Sequence, residues 1–152
     1  MQLENDVYYS RAFQALAEES KDLYYPLQDV GELLKESTAE QFDTEGTYGG
    51  NRWQELSPAY RAYKQSRWPG KAIMQRDGAL RDSLVNHGVL YVDHRRMVFG
   101  VAGDPAKYAA AHQFGRGHMP KREFLVLPRE ARRQIDRIFV EWLSIGRSKA
   151  GL

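Results

Sequence analysis

The chain has 152 residues, 42% apolar and 12% aromatic, which is enough for one ordinary core and too rich for a disordered protein. It contains no cysteine, which excludes a disulfide framework, a thiolate nucleophile and a thiolate metal site. The formal net charge of +2 is unevenly spread: residues 1–56 hold 12 acidic and 4 basic side chains, residues 57–152 hold 8 and 18. Such a dipolar chain neutralises itself within one fold, meets a copy of itself head to tail, or turns its basic part toward nucleic acid. The first six residues lack the basic and apolar blocks of a signal peptide, and no apolar run approaches the roughly 20 residues of a membrane span. A soluble product made in the cytoplasm is expected, with no membrane partner.

In chain order, Phe13, Leu16 and Ala17 share one helical face and predict a helix over residues 5–22. Pro26 suits the first turn of a second helix, whose stripe is Leu27, Val30, Leu34 and Phe42, with Glu32, Lys35, Glu36 and Glu40 on other faces. Gly31 weakens that helix by up to ~1 kcal/mol relative to alanine. Residues 44–52, with Gly46, Gly49 and Gly50, read as a mobile loop; no Lys-Ser or Lys-Thr pair follows to make a phosphate cradle. Ser57 and Pro58 start a helix that should run through Lys64 and stop before Trp68. Between 61 and 81, Arg61, Lys64, Arg67, Lys71, Arg76 and Arg81 stand against Asp77 alone, with Tyr60, Tyr63 and Trp68 interleaved. That is the pattern of a solvated face or of a track for a phosphate backbone.

Asp77 and Gly78 mark a turn. Val85, Val89 and Tyr91, then Met97, Phe99 and Val101, read as two strands joined at Asp93-His94-Arg95, with Gly88 at a bulge or close backbone approach. Asp104-Pro105 starts a short helix through Tyr108 that ends near Gly115, and His112 and Gln113 on it are candidate polar contacts at a subunit seam. Phe124 to Leu127 form a strand or an extended core segment. Pro128 opens the clearest helix, striped by Ala131, Ile135, Ile138, Phe139 and Trp142 with Leu143 beside them. The fold class is α+β: a small antiparallel sheet on a central hairpin, packed with N-terminal helices and a long C-terminal amphipathic helix. One domain spans 1–152, comprising an acidic helical part (1–45), a core (53–145) and a frayed tail (146–152).

No active site emerges. His87 and His94 near the ends of the first strand suggest a hairpin metallonuclease, but no helix carries a His or Asp pair at one-turn spacing to complete its metal site. No carboxylate pair stands out from surface charge, and Ser83 lacks a nucleophile-elbow context. The expectation is no catalytic residue, no cofactor and no metal.

Five pieces in order carry a family resemblance: Trp53, Leu56, Ser57, Tyr60 and Lys64; Ile73-Met74 with Gly78, Leu80 and Ser83; the hairpin; Tyr108-Ala109 with His112-Gln113-Phe114-Gly115; and Pro120, Arg122, Phe124 and Leu125 ahead of the last helix. In these the chain resembles the phage virion morphogenesis family, the tail-completion or neck proteins of tailed bacteriophages, including Mu-like phages. The resemblance covers roughly residues 27–143. It implies a non-enzymatic virion part at the head–tail junction, made in the bacterial cytoplasm and assembled as a ring, hexameric by preference with twelve-fold also open. The implied partners are other neck proteins, on the connector or head-closure side and on the tail-terminator or tube side, with duplex DNA in the lumen a further candidate. On that reading Arg67, Lys71, Arg116, Lys121 and Arg122 are interface or lumen residues. The alternative is a monomeric basic nucleic-acid-binding domain.

Overall fold

A computed structural model describes residues 21–149, with Gln14, Ala17 and Glu18 before them. The helix expected over 5–22 otherwise lies outside the described residues; those three are helical. The elements that follow are α1 (Tyr24–Asp43), a 3-10 turn (Thr47–Gly49), α2 (Pro58–Arg67), α3 (Ala79–Val85), β1 (Val89–Val92), β2 (Met97–Phe99), α4 (Ala106–Phe114) and α5 (Arg129–Lys149). The class is α+β as expected, with an antiparallel sheet of two strands. Helix α1 is the hub and packs against α3, both strands and α5.

The local start and stop signals act as read. Pro26 sits buried in the first turn of α1. The Ser57 hydroxyl accepts from the Tyr60 N–H at 3.3 Å, with Pro58 at the first helical position. Gly115 ends α4 at a φ of 65°, in the left-handed region that glycine enters without cost. Gly31 also finds its reason. A Cβ there would stand 2.7 Å from Val89 Cγ2, so the missing side chain lets the hairpin cross α1 closely.

Two expectations are corrected. Val85 is not in a strand: it closes α3, and the Gly88 N–H still bonds the Leu84 carbonyl at 3.0 Å. Residues 44–52 are tied down. Gly49 N–H donates to Gln41 Oε1 at 2.8 Å, Trp53 N–H to the Glu45 carbonyl at 2.7 Å, and the Tyr48 hydroxyl to Ser37 Oγ at 3.0 Å. Of the tail expected over 146–152, the helix runs on to Lys149 with Gly146 buried, and residues 150–152 lie outside the described residues. The hairpin irregularity falls between Val89 and Tyr91, whereas Gly88 is the close approach: a Cβ there would lie 2.3 Å from the Leu84 carbonyl oxygen and 2.5 Å from the Phe99 ring. Gly88→Ala is therefore expected to cost about 2 kcal/mol or more, since neither neighbour is a flexible side-chain tip. Chemical denaturation checks this, and an unchanged midpoint would refute the packing.

The core is Phe42, Trp53, Ile73, Leu80, Leu84, Ala109 and Phe124. Trp53 meets Phe42 edge-on at 5.4 Å, and Phe124 lies 6.0 Å from Phe42 on its own side. Phe124 arrives on an extended segment that pairs with no strand, so side chains satisfy its backbone. Gln41 Nε2 and Trp53 Nε1 donate to the Glu123 carbonyl at 2.7 and 2.9 Å. Gln113 Oε1 accepts from Phe124 N–H and Leu125 N–H, both at 3.0 Å, while its Nε2 donates to the Leu125 carbonyl at 3.0 Å.

The hairpin loop is pinned to the start of α1. The Leu23 N–H donates to the His94 carbonyl at 2.8 Å, and His94 Nδ1 lies 2.8 Å from Asp22 Oδ1. The hydrogen bond to Asp22, then its charge, raises the His94 pKa above 6.5, and His94 in turn lowers that of Asp22 below 3.8. The histidine's contribution is full below pH 6.5 and lost as pH rises through its raised value; the carboxylate's is present above 3.8 and lost as pH falls through its lowered value. Amide protection around 22–24 and 94 should thus peak between those limits. His94→Ala should flatten the profile; a profile that survives the substitution excludes this pair as its source.

Candidate functional site: a cationic cleft

A cleft of about 670 Å³ opens between α2, the turn at 74–77, α4 and the loop at 118–122. Its floor carries two buried cations. Lys64 lies on α2 between Tyr60 and Trp68 at i, i+4, i+8, and is the buried residue of the helix while Tyr60, one turn before it, is exposed. Lys64 is 5% exposed, and its ammonium donates to the Ala72 carbonyl. Burial pushes its pKa down; the Glu45 charge opposes this, and Arg122 adds to it. Arg122 is also 5% exposed, and donates through Nε and Nη2 to the Gln54 carbonyl at 3.0 and 2.8 Å. Its backbone N–H donates to the His112 carbonyl at 2.8 Å, which fixes the segment against α4.

His112 forms part of the opposite wall. Its ring packs edge-on against Tyr108 at 6.1 Å, and its Nδ1 is buried with no hydrogen-bond partner among the described residues. Burial, then the Arg122 charge, lowers its pKa and so favours the neutral ring. Arg76, Asp77, His118 and Met119 stand at the exposed rim. The cleft thus holds positive charge at depth, bonded to backbone carbonyls, with Glu55 also in its lining and a rim of mixed charge above.

The residues singled out from sequence divide in two. His112 and Arg122 meet at the cleft, but Arg122 is buried and bonded internally, so it is not a free surface cation. The Gln113 amide is used within the chain, on Phe124 and Leu125. Arg67, Lys71, Arg116 and Lys121 are exposed and lie outside the cleft lining. Arg67 sits 5.9 Å over the Tyr63 ring, Arg116 5.2 Å over Phe114, and Lys121 pairs with Glu123 at 2.6 Å. The six-cation run is partly spent inside the fold: Arg61 pairs with Glu55 at 2.8 Å, Arg81 with Asp43 at 3.1 Å, and Lys64 is buried. Sequence reasoning missed Lys64 as a floor residue; its alignment with two aromatics was the available signal. His87 is exposed, 4.0 Å from Asp82, and no group of three His, Cys, Asp or Glu able to hold a metal occurs among the described residues.

Fold and cleft together define a small α+β protein with a recess that holds two buried cations. The model of the phage virion morphogenesis family matches residues 5–144, and the chain belongs to that family. It is accordingly a structural protein of bacteriophage particles. No curated protein and no solved structure gives a significant match. No helix among the described residues is long and apolar enough to cross a membrane. The residues that carried the resemblance are chiefly scaffold: Trp53, Ile73, Leu80, Ala109 and Phe124 are core, Ser83 is buried, and Gln113 and Arg122 bind backbone.

Proposed function

We propose that this virion protein works at the head–tail junction, as a neck or tail-completion part that closes into a ring and joins the tail to the DNA-filled head. The supporting observation is that the charge separation survives folding. Asp29, Glu36 and Glu40 are exposed on α1, and Arg67, Lys71 and Arg116 are exposed elsewhere; none of the six forms an ion pair among the described residues. A surface with unneutralised acid in one place and base in another suits a heterologous contact that repeats around an axis. Neighbours on the connector side and the tail side would then meet the two faces of the ring.

Particle mass and negative-stain averages at two salt concentrations test this. A ring with a central hole, hexameric by preference and loosened by salt, is the expected result. A monomer that binds duplex DNA with a steep salt dependence overturns it in favour of a basic nucleic-acid-binding domain. One observation favours that second reading: Arg67 over Tyr63 and Arg76 5.2 Å over Trp68 present cations and stacking rings together.

A further inference from the structure

Two buried cations that form no direct ion pair among the described residues are what the cleft offers a partner. Lys64 and Arg122, each 5% exposed, donate their hydrogen bonds to backbone carbonyls, while Glu45 acts on Lys64 and Glu55, in the cleft lining, on Arg122 through charge alone. Full charges taken out of water are ordinarily paired, because a carbonyl dipole offsets only part of the lost hydration. Both line the same cleft as His112, whose Nδ1 is buried and unpartnered among the described residues. The three groups sense one another: the Arg122 charge lowers the pKa of Lys64 and of His112.

We propose that the cleft receives a carboxylate side chain from a second copy of this chain, presented by the acidic face of α1. This assignment rests on the head-to-tail ring reading above. The occupant follows from charge complementarity. Asp29, Glu32, Glu36 and Glu40 are all exposed, and their spacing of i, i+3, i+7, i+11 places them on one helical stripe. Only Glu32 of the four has an ion pair, with Lys35 at 2.8 Å. A glutamate on a helix is slender enough to reach cations at the floor of a recess. A duplex phosphate, fixed on a broad rigid cylinder, meets rim cations such as Arg76 instead. A docked carboxylate replaces water around Lys64 and Arg122, and its negative charge favours protonated His112, reversing the shift set by burial.

The test uses the full chain with charge reversals at exposed positions, which leave the core intact. Glu32→Lys with Glu36→Lys and Glu40→Lys makes one variant, Arg76→Glu with His118→Glu a second, and all five substitutions a third. Each partial variant is expected to need at least about tenfold more protein to assemble, and the combined chain to recover part of that loss through the new rim pairs while Lys64 and Arg122 still oppose the α1 lysines. The His112 titration, followed by NMR, should shift upward in assembled wild-type protein relative to the α1 variant. Three results overturn the assignment: partial variants that assemble normally, a combined chain that is not rescued, or a His112 titration that is the same in both states. Rings that form without rescue leave the ring reading standing and remove the cleft from it. Open chains or dimers that do show rescue keep the cleft and overturn the ring. A chain that stays monomeric, or duplex DNA that shifts His112 in place of a second copy, also overturns the assignment.

Discussion

Phe124→Ala should destabilise the protein by about 3–5 kcal/mol, the range for removing a large aromatic from a core. The side chain is 1% exposed and shares the core with Phe42 and Trp53. Its segment has no strand partner, and beyond the Arg122 N–H bond to the His112 carbonyl it is held by the side chains of Gln41, Trp53 and Gln113. For a chain of this length the loss corresponds to a fall in Tm of roughly 10 °C or more. Phe124→Leu keeps most of the volume and is expected to lose less than about 1.5 kcal/mol. The contrast between the two in urea unfolding separates cavity from contact. If alanine costs under about 1 kcal/mol, Phe124 is not part of the core described above.

What could be read from sequence was what local chemistry decides. Ser57-Pro58 sets a helix start and Gly115 a helix end because the capping groups lie within a few residues of what they satisfy. The C-terminal helix was legible because Ala131, Ile135, Ile138 and Trp142 repeat on one face. Val85 misled because a β-branched residue near other valines suggests a strand, whereas the hydrogen bonds that the Asp82 and Leu84 carbonyls accept from the Asn86 and Gly88 N–H groups carry the helix past it. The looseness expected at 44–52 failed for a longer-range reason: Gln41 turns back from α1 to bind Gly49 while also reaching Glu123, 82 residues away. The cleft was illegible in the same way. Lys64 reads as one cation among six until Arg122 and His112, far along the chain, close over it. Composition did convey the uneven charge, and exposed Asp29, Glu36 and Glu40 on α1 form no ion pair among the described residues, although Asp43 pairs with Arg81.

Gln113→Leu is expected to cost about 3 kcal/mol although it removes almost no volume. One amide side chain serves three backbone groups: the N–H groups of Phe124 and Leu125, which share its Oε1, and the Leu125 carbonyl, which takes its Nε2 proton. Leucine leaves all three without a partner, and each part-buried polar group so stranded costs on the order of 1 kcal/mol or more. Gln113→Glu separates the two halves of that role. Its carboxylate still accepts from both N–H groups but faces the Leu125 carbonyl oxygen with no proton to donate, so the loss should fall to about half. The pair of variants also decides between two uses of this residue. A side chain that staples the 124–125 segment to α4 changes the stability of the isolated protomer, with leucine worse than glutamate. A side chain reserved for a subunit seam would change assembly and leave protomer unfolding untouched. Unfolding measured at a concentration too low for association distinguishes them, and an unchanged midpoint for Gln113→Leu would return the residue to the seam.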